Sequence, residues 1–208
     1  MSQRAYAVGK RSLDVVVAGG VLLLTSPVQA ATAAAVRMQM GSPVLFRQRR
    51  PGLDGASFTI VKFRTMRQSE GADPSTDGQR ITRLGSVLRS TSLDELPTLW
   101  NVIRGEMSLV GPRPLLEQYL ERYSPTQARR HEVRPGLTGL AQVEGRNALT
   151  WDEKLGLDVS YVDHASLRLD LWILWRTVRL VLTRHGVAAD GSASMPEFMG
   201  SSSTAAQA

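Results

Sequence analysis

The sequence contains no cysteine, which removes disulfides and thiolate-bound zinc from consideration and leaves no support for an oxidised, secreted scaffold. A reducing cytoplasmic setting is permitted. Internal repeats and heptad runs are also missing, so neither a solenoid nor a coiled coil accounts for the chain. What is present suits one main domain: 208 residues with 42% hydrophobic content, enough for a core. The charge is less ordinary. A net charge of +6 and a pI near 10.3 imply an anionic counterpart, which could be nucleic acid, a phospholipid surface or a phosphorylated substrate.

From Leu13 to Val36 the chain is almost purely apolar or small, long enough as a helix to cross a hydrocarbon core of roughly 30 Å. Asp14, the Gly19-Gly20 pair and Ser26-Pro27 disturb a plain span. Pro27 donates no hydrogen bond and presses on the carbonyl of Leu23, so a kink is expected there, with the Ser26 hydroxyl able to satisfy a freed carbonyl. Basic residues flank both ends: Arg4, Lys10 and Arg11 before, Arg37, Arg47, Arg49 and Arg50 after. A simple span should be basic on one side, whereas a helix-break-helix that enters and leaves one leaflet should be basic on both. The re-entrant hairpin is therefore expected over residues 1–40, against a plain single span and a cleaved secretory signal ending near Val28-Gln29-Ala30.

After Gly41-Ser42-Pro43, the stretches Val44 to Phe46 and Phe58 to Phe63 read as short strands around the turn Pro51-Gly52-Leu53-Asp54-Gly55, and residues 68–80 read as an exposed loop. Ser124-Pro125-Thr126-Gln127 and Thr150-Trp151-Asp152-Glu153 both match the capping box, so the second half should be largely helical. Leu167 to Arg184 is a basic amphipathic helix candidate. Its Trp172 and Trp175 suit the headgroup region of a membrane, the alternative being an ordinary surface helix facing the core. Residues 187–208, rich in Ala, Ser and Gly, read as a weakly ordered tail.

Chemistry concentrates between Arg83 and Pro114, where Arg89, Asp94, Glu95, Asn101, Arg104, Glu106 and Arg113 follow with little filler. Ser92-Leu93-Asp94-Glu95 matches a capping box, and local pattern alone favours simple capping at a helix start. The same field would keep Asp94 ionised, as a nucleophile or a magnesium ligand requires. An aspartate can attack a phosphoanhydride if the repulsion between anions is offset, which Mg²⁺ and arginines can do. Lys62, Arg64, Arg89, Arg104 and Arg113 are the candidates for phosphate contacts. Arg113 leads, because Pro112 and Pro114 restrict its backbone on both sides.

The strings that follow one another here are Gly41-Ser42-Pro43-Val44 with Gln48 and Arg50, Lys62-Phe63-Arg64-Thr65-Met66, Ser92-Leu93-Asp94-Glu95-Leu96-Pro97, Met107 through Pro114, Arg134-Pro135-Gly136-Leu137-Thr138-Gly139, Ala141-Gln142-Val143 and Gly145-Arg146-Asn147. In these strings, Ser12 to about Gly186 resembles the small monotopic phosphoglycosyl transferases of bacteria, also called bacterial sugar transferases. The resemblance implies an α+β fold, mostly helical with a small β-hairpin, held on the cytoplasmic face of the bacterial inner membrane by a re-entrant helix broken at Ser26-Pro27. Residues 41–186 would be the catalytic domain with its membrane-surface helices. It further implies Asp94 as covalent nucleophile and metal ligand, Glu95 as its acidic partner, Mg²⁺ as cofactor and Arg146 among the substrate-binding residues. The implied donor is a uridine diphosphate sugar, the acceptor polyprenyl phosphate and the released product uridine monophosphate. Departures from the pattern are Thr98, where glutamine is expected, and Glu144, where asparagine is expected.

The run from Asn147 through Trp151, Lys154, Asp158, Tyr161 and Asp163 is most similar to members that use N-acetylated amino sugars, notably diacetylbacillosamine; a hexose donor is the alternative. A nucleic-acid-binding module, or a noncatalytic phosphate-binding scaffold, explains the Asp94 cluster and the apolar segment less well. No nucleic-acid partner is therefore expected, and a homodimer is permitted.

Overall fold

The computed structural model describes residues 3–67, 80–145, 148–183 and 197–200; the expected loop at 68–80 thus lies, except for Arg80, outside the described residues. The apolar segment is part of one long helix, α1 (Gln3–Met40), which accommodates Pro27 in its interior without a non-helical interruption. The carbonyl that Pro27 leaves without a donor is met as its sequence predicts: the Ser26 hydroxyl donates to Leu23 O at 2.9 Å. Thr25 donates to Val21 O, and the Gln29 side-chain amide donates to both Leu22 O and Thr25 Oγ1. Three polar contacts therefore cover the carbonyls of Val21, Leu22 and Leu23 just before the proline, and a fourth ties Gln29 to Thr25.

A two-stranded antiparallel sheet follows, β1 (Leu45–Pro51) and β2 (Ser57–Phe63), in the register Leu45↔Phe63 to Pro51↔Ser57. It is the expected hairpin with a longer first strand. Phe46, Gln48 and Arg50 stand opposite Lys62, Ile60 and Phe58, so these six side chains share one face. Next come α2 (Arg83–Ser90), a 3₁₀ turn at Leu93–Thr98 and α3 (Leu99–Arg104). A short parallel pair, β3 (Ser108–Val110) with β4 (Gly136–Thr138), encloses a 3₁₀ turn at Glu117–Arg122 and α4 (Pro125–Ala128). The chain then builds α5 (Leu140–Glu144), α6 (Trp151–His164) and α7 (Leu167–Thr183). Both capping boxes form at Ser124 and Thr150. The one at Ser92 does not: Ser92 is left-handed and its side chain caps nothing. It turns the chain out of α2 in the manner of a helix C-terminal residue, a conformation incompatible with an N-cap.

The main core joins Ala18 and Leu22 of α1 to Phe58, Ile60, Leu99, Val102, Leu109, Tyr161 and Ile173. A second cluster seats Val36, near the other end of α1, against Phe63 and Leu88. Charges do as much of the docking. Asp170, 0% exposed, accepts from Lys10 Nζ at 2.9 Å, Tyr161 at 2.7 Å and Tyr6 at 3.1 Å. Asp14, also buried, accepts from the Leu109 amide at 3.0 Å, and Arg11 donates to the carbonyls of Val102 and Ile103. Lys10 and Arg11 thus hold α1 to the domain. Tyr119 and Leu155 form a third cluster with Phe198, which belongs to the described part of the Ala/Ser/Gly-rich C-terminal segment.

Along α7, Trp172 lies under Arg176 and Trp175 under Arg179, at 5.3 and 5.8 Å from ring centroid to guanidinium. Leu171, Trp175, Val178 and Leu182 stay exposed beside them, while Asp170 and Ile173 face inward.

Removing one partner of a buried ion pair leaves the other charge stranded, at a cost of about 3–5 kcal/mol. Lys10→Met should lower stability by that order, measured as thermal unfolding in detergent. Lys10→Met combined with Asp170→Leu should recover part of the loss, and a double variant no better than the sum of both single losses would show that the two charges do not act as a pair.

Candidate active site

The 3₁₀ turn that carries Asp94 and Glu95 is stitched to β2 from behind. Thr98, fully buried, donates its hydroxyl to Val61 O at 2.8 Å. Asn101 accepts from the Val61 amide at 3.3 Å and donates to Thr59 O and Glu106, both at 2.7 Å. The threonine at 98 is therefore a working part of the scaffold. These bonds bring the turn beside Lys62, and Glu95 Oε1 accepts from Lys62 Nζ at 2.5 Å and from Arg113 Nη2 at 2.6 Å.

Arg113 is placed by backbone geometry. Gly111 N donates to Thr138 O and Gly136 N to Pro112 O, each at 2.9 Å. The two strands lie so close at this point that a Cβ on Gly136 would run into the backbone of Gly111, which is why the glycines flank the Pro-Arg-Pro loop. The Arg113 carbonyl itself accepts from Arg130 Nη2 at 2.7 Å. Arg130 and Asp158 form a buried pair, with donor-to-carboxylate distances of 2.7 and 3.0 Å.

Arg89 completes the cluster from α2. Gly85 packs directly on the Thr65 backbone, and Arg89 Nε donates to Thr65 Oγ1 at 3.0 Å, leaving its positive charge close enough to act on Asp94. The adjacent carboxylates are driven apart. Burial would raise Glu95, but Arg113 and Lys62 outweigh it and bring its pKa down to about 2. Glu95 in return raises that of Arg113. Asp94 moves the other way, up to about 6, through burial and the charge of Glu95, against the pull of Lys62, Arg89 and Arg113. The sequence pattern predicts a helix-start field that keeps Asp94 ionised; without the capped helix at Ser92, burial and the neighbouring carboxylate decide. Glu95 is committed to two cations, whereas Asp94 has no hydrogen bond or ion pair among the described residues.

The structure thus unites Lys62, Arg89, Asp94, Glu95 and Arg113. Arg64 is used elsewhere. Only 5% exposed, it donates to the carbonyls of Met40, Gly41 and Ser42 and so caps the end of α1. Arg104 is exposed at the far end of α3, ten residues along the chain from Asp94 and on the side where Arg134 donates to Gly105 O. Arg146 lies outside the described residues. Arg130 and Arg50 were not among the candidates. Arg50 was readable, because strand alternation puts it on the same hairpin face as Gln48 and Lys62. Arg130 was not, because its partner Asp158 is distant in sequence.

A single free carboxylate amid cations suits Mg²⁺, which takes one or two carboxylates and fills its shell with phosphate oxygens and water. No group of three or more acidic or His side chains that could hold a metal without such help occurs among the described residues.

A sequence profile of the family described as bacterial sugar transferase matches residues 5–184. The chain is similar to the "uncharacterized sugar transferase EpsL" of Bacillus subtilis, with 50% identity over 92% of this chain and 96% of the relative. A UDP-glucose:undecaprenyl-phosphate glucose-1-phosphate transferase of Caulobacter vibrioides is 44% identical over 84% of this chain and 70% of its own length. A UDP-N-acetylgalactosamine-undecaprenyl-phosphate N-acetylgalactosaminephosphotransferase of Aeromonas hydrophila is 39% identical over 87% of this chain and 45% of its own length.

Neutralising Glu95 removes the charge that repels Asp94 and releases two cations toward it. Both effects have one sign. In Glu95→Gln the Asp94 pKa should fall from about 6 toward the ordinary carboxylate range, read by carbon-13 NMR of labelled aspartate; an unchanged or higher value would contradict the assigned electrostatics.

Proposed function

The chain belongs to the bacterial sugar transferase family, and from that membership and the geometry around Asp94 we propose that it transfers a sugar 1-phosphate from a UDP-sugar to polyprenyl phosphate through a covalent intermediate on Asp94. The observation that carries this reading is the unequal pair of carboxylates: Glu95 bound to Lys62 and Arg113, Asp94 unbound beside Arg89. Asp94 attacks the phosphorus nearest the sugar and uridine monophosphate leaves; the lipid phosphate then displaces Asp94 and collects the phosphosugar. Glu95, held ionised, organises the cations and is too weak a base to carry protons near neutral pH. Mg²⁺, held by Asp94 and the donor's phosphates, would supply charge neutralisation of the diphosphate.

The donor is a UDP-sugar, and an N-acetylated amino sugar follows from the run that begins at Asn147. Two members of that run have structural roles, since Asp158 pairs with Arg130 and Tyr161 bonds to Asp170. A UDP-hexose is the second reading, favoured by the 44% identity to the glucose-1-phosphate transferase.

We place the protein on the cytoplasmic face of the membrane, with α1, which stays helical through Pro27 in place of the expected break, entering and leaving one leaflet. Both ends of α1 are seated on the same domain, through Lys10, Arg11 and Asp14 at one end and Val36 at the other. Between them Leu23 and Leu24, 76% and 81% exposed, offer an apolar surface with the polar contacts of Thr25, Ser26 and Gln29 at its middle. The Trp172 and Trp175 face of α7 lies at the headgroup level.

Incubation with donor alone, without lipid, should add the mass of one phosphosugar to the protein, and Asp94→Asn should abolish both the adduct and its uridine monophosphate. Adduct formation in Asp94→Asn, or turnover with no adduct, would remove Asp94 from the reaction. The native chain lacks cysteine, so single thiols can report topology. In intact cells, Ser2→Cys and Ser42→Cys should both be protected from a membrane-impermeant thiol reagent; labelling of either one alone would establish a span.

A further inference from the structure

Arg113 faces a second group of charges besides Glu95. Arg50, on β1, donates from Nη1 to the Pro114 carbonyl at 3.4 Å and from Nη2 to Gln48 at 2.5 Å. Its Nε is buried with no hydrogen-bond partner among the described residues. Helix α6 carries Lys154 one turn before Asp158, on the same helix face. Asp158 is bound to Arg130, whose Nη2 also reaches the Arg113 carbonyl, so Lys154 is carried toward the same loop. Its ammonium lies 5.2 Å above the Trp151 ring.

The electrostatics agree with this placement. Burial brings Arg50 down to about 10, with the positive charge of Arg113 adding to the effect. Burial also lowers Lys154, and Arg113 again contributes, against the opposing charge of Asp158. Arg50 and Lys154 therefore each feel the positive charge of Arg113. The Arg113 side chain, 45% exposed, is open to a ligand. Arg50 is tied to Pro114 and Lys154 stands on α6, so both belong beside the loop that carries Arg113 and not to the turn that carries Asp94.

We propose that Arg50, Arg113 and Lys154 form a second phosphate subsite, which binds the nucleoside-side phosphate of the donor and retains the nucleoside monophosphate as it leaves. The inference rests on the reading of Asp94 as the nucleophile toward the sugar-side phosphorus. In that step an Asp94 oxygen forms a bond to the sugar-side phosphorus while the bond from that phosphorus to the bridging oxygen breaks. The electron pair stays on the bridging oxygen, which becomes a terminal oxygen of the nucleoside monophosphate. Negative charge thus grows on the phosphate that this subsite holds, and cations already fixed there stabilise the transition state more than the ground state. Arg113 contacts both phosphates, because it stands between the two groups.

The test uses Arg50→Gln, Lys154→Met and the charge-conserving Arg50→Lys in the full chain, with uridine monophosphate as the probe. Binding of the probe to resting protein should weaken about tenfold or more in Arg50→Gln and in Lys154→Met, the loss expected for a charge-assisted phosphate contact, and less in Arg50→Lys. The donor KM should rise in parallel. Transfer from a preformed Asp94 adduct to polyprenyl phosphate should change less than about twofold, because the nucleotide has already left. Unaltered probe binding in folded Lys154→Met and Arg50→Gln would overturn the subsite, and so would equal slowing of both half-reactions, the mark of a general structural defect. Absence of any adduct in the unaltered protein would instead count against Asp94, and the probe measurement would still decide the subsite.

Discussion

One carboxylate oxygen holds the site together. Oε1 of Glu95 receives Lys62 from the hairpin and Arg113 from the Pro-Arg-Pro loop, at 2.5 and 2.6 Å, so three segments far apart in sequence are registered by a single charged junction. At the protein surface such pairs contribute little, but here the carboxylate is shared and its cations are placed by other contacts. Thr98 and Asn101 bind the 3₁₀ turn to the β2 backbone, and Arg130 fixes the Arg113 carbonyl. Glu95 consequently meets cations whose backbones are already placed, so that only their side chains remain to be ordered. Everything else about the site follows from this arrangement, including the unequal state of the neighbouring Asp94.

Much of the fold was legible because it rests on local rules. The hairpin, the two capping boxes and α7 are set by alternation, by hydroxyl-to-amide bonds three residues apart and by helical periodicity, all of which act within a few residues. Asp94, Glu95, Lys62, Arg89 and Arg113 came from charge density and family strings. What escaped depends on distance. β3 and β4 are three residues each and pair across a separation of 28 positions, so neither shows a pattern of its own. Arg64 and Arg113 look alike in sequence as basic residues within family strings, yet one caps a helix and the other faces the cluster. The Ser92 box failed because a left-handed serine ends α2 instead of beginning the next turn. Phe198 was hidden by composition, since one ring among Ala, Ser and Gly is enough to dock against Tyr119 and Trp151.

The membrane-associated helix has a similar lesson. Its flanking charges read as markers of the cytoplasmic side, and in the folded protein Lys10, Arg11 and Asp14 are mostly spent on the catalytic domain. Asp14 contacts the amide of Leu109 and Tyr161 contacts the carbonyl of Val110, immediately before the Gly-Pro-Arg-Pro loop. The same few hydrogen bonds that seat α1 therefore also position the strand that delivers Arg113. Helix α1 and the loop that carries Arg113 are thus joined through the backbone of Leu109 and Val110.

The contrast between Asp94 and Glu95 bears on how two adjacent carboxylates share one set of cations. Two adjacent carboxylates cannot both be compensated by the same cations, and Glu95 takes the closest pair. Asp94 is left with repulsion and burial, which raise its pKa to about 6 and favour any process that disperses its charge. Protonation is one such process, and bond formation to phosphorus is another. In the proposed acyl phosphate the aspartyl oxygen would no longer carry the charge, which would reside on the phosphoryl oxygens. On the proposed mechanism, the repulsion that Glu95 exerts on Asp94 in the resting site would be relieved as the bond to phosphorus forms.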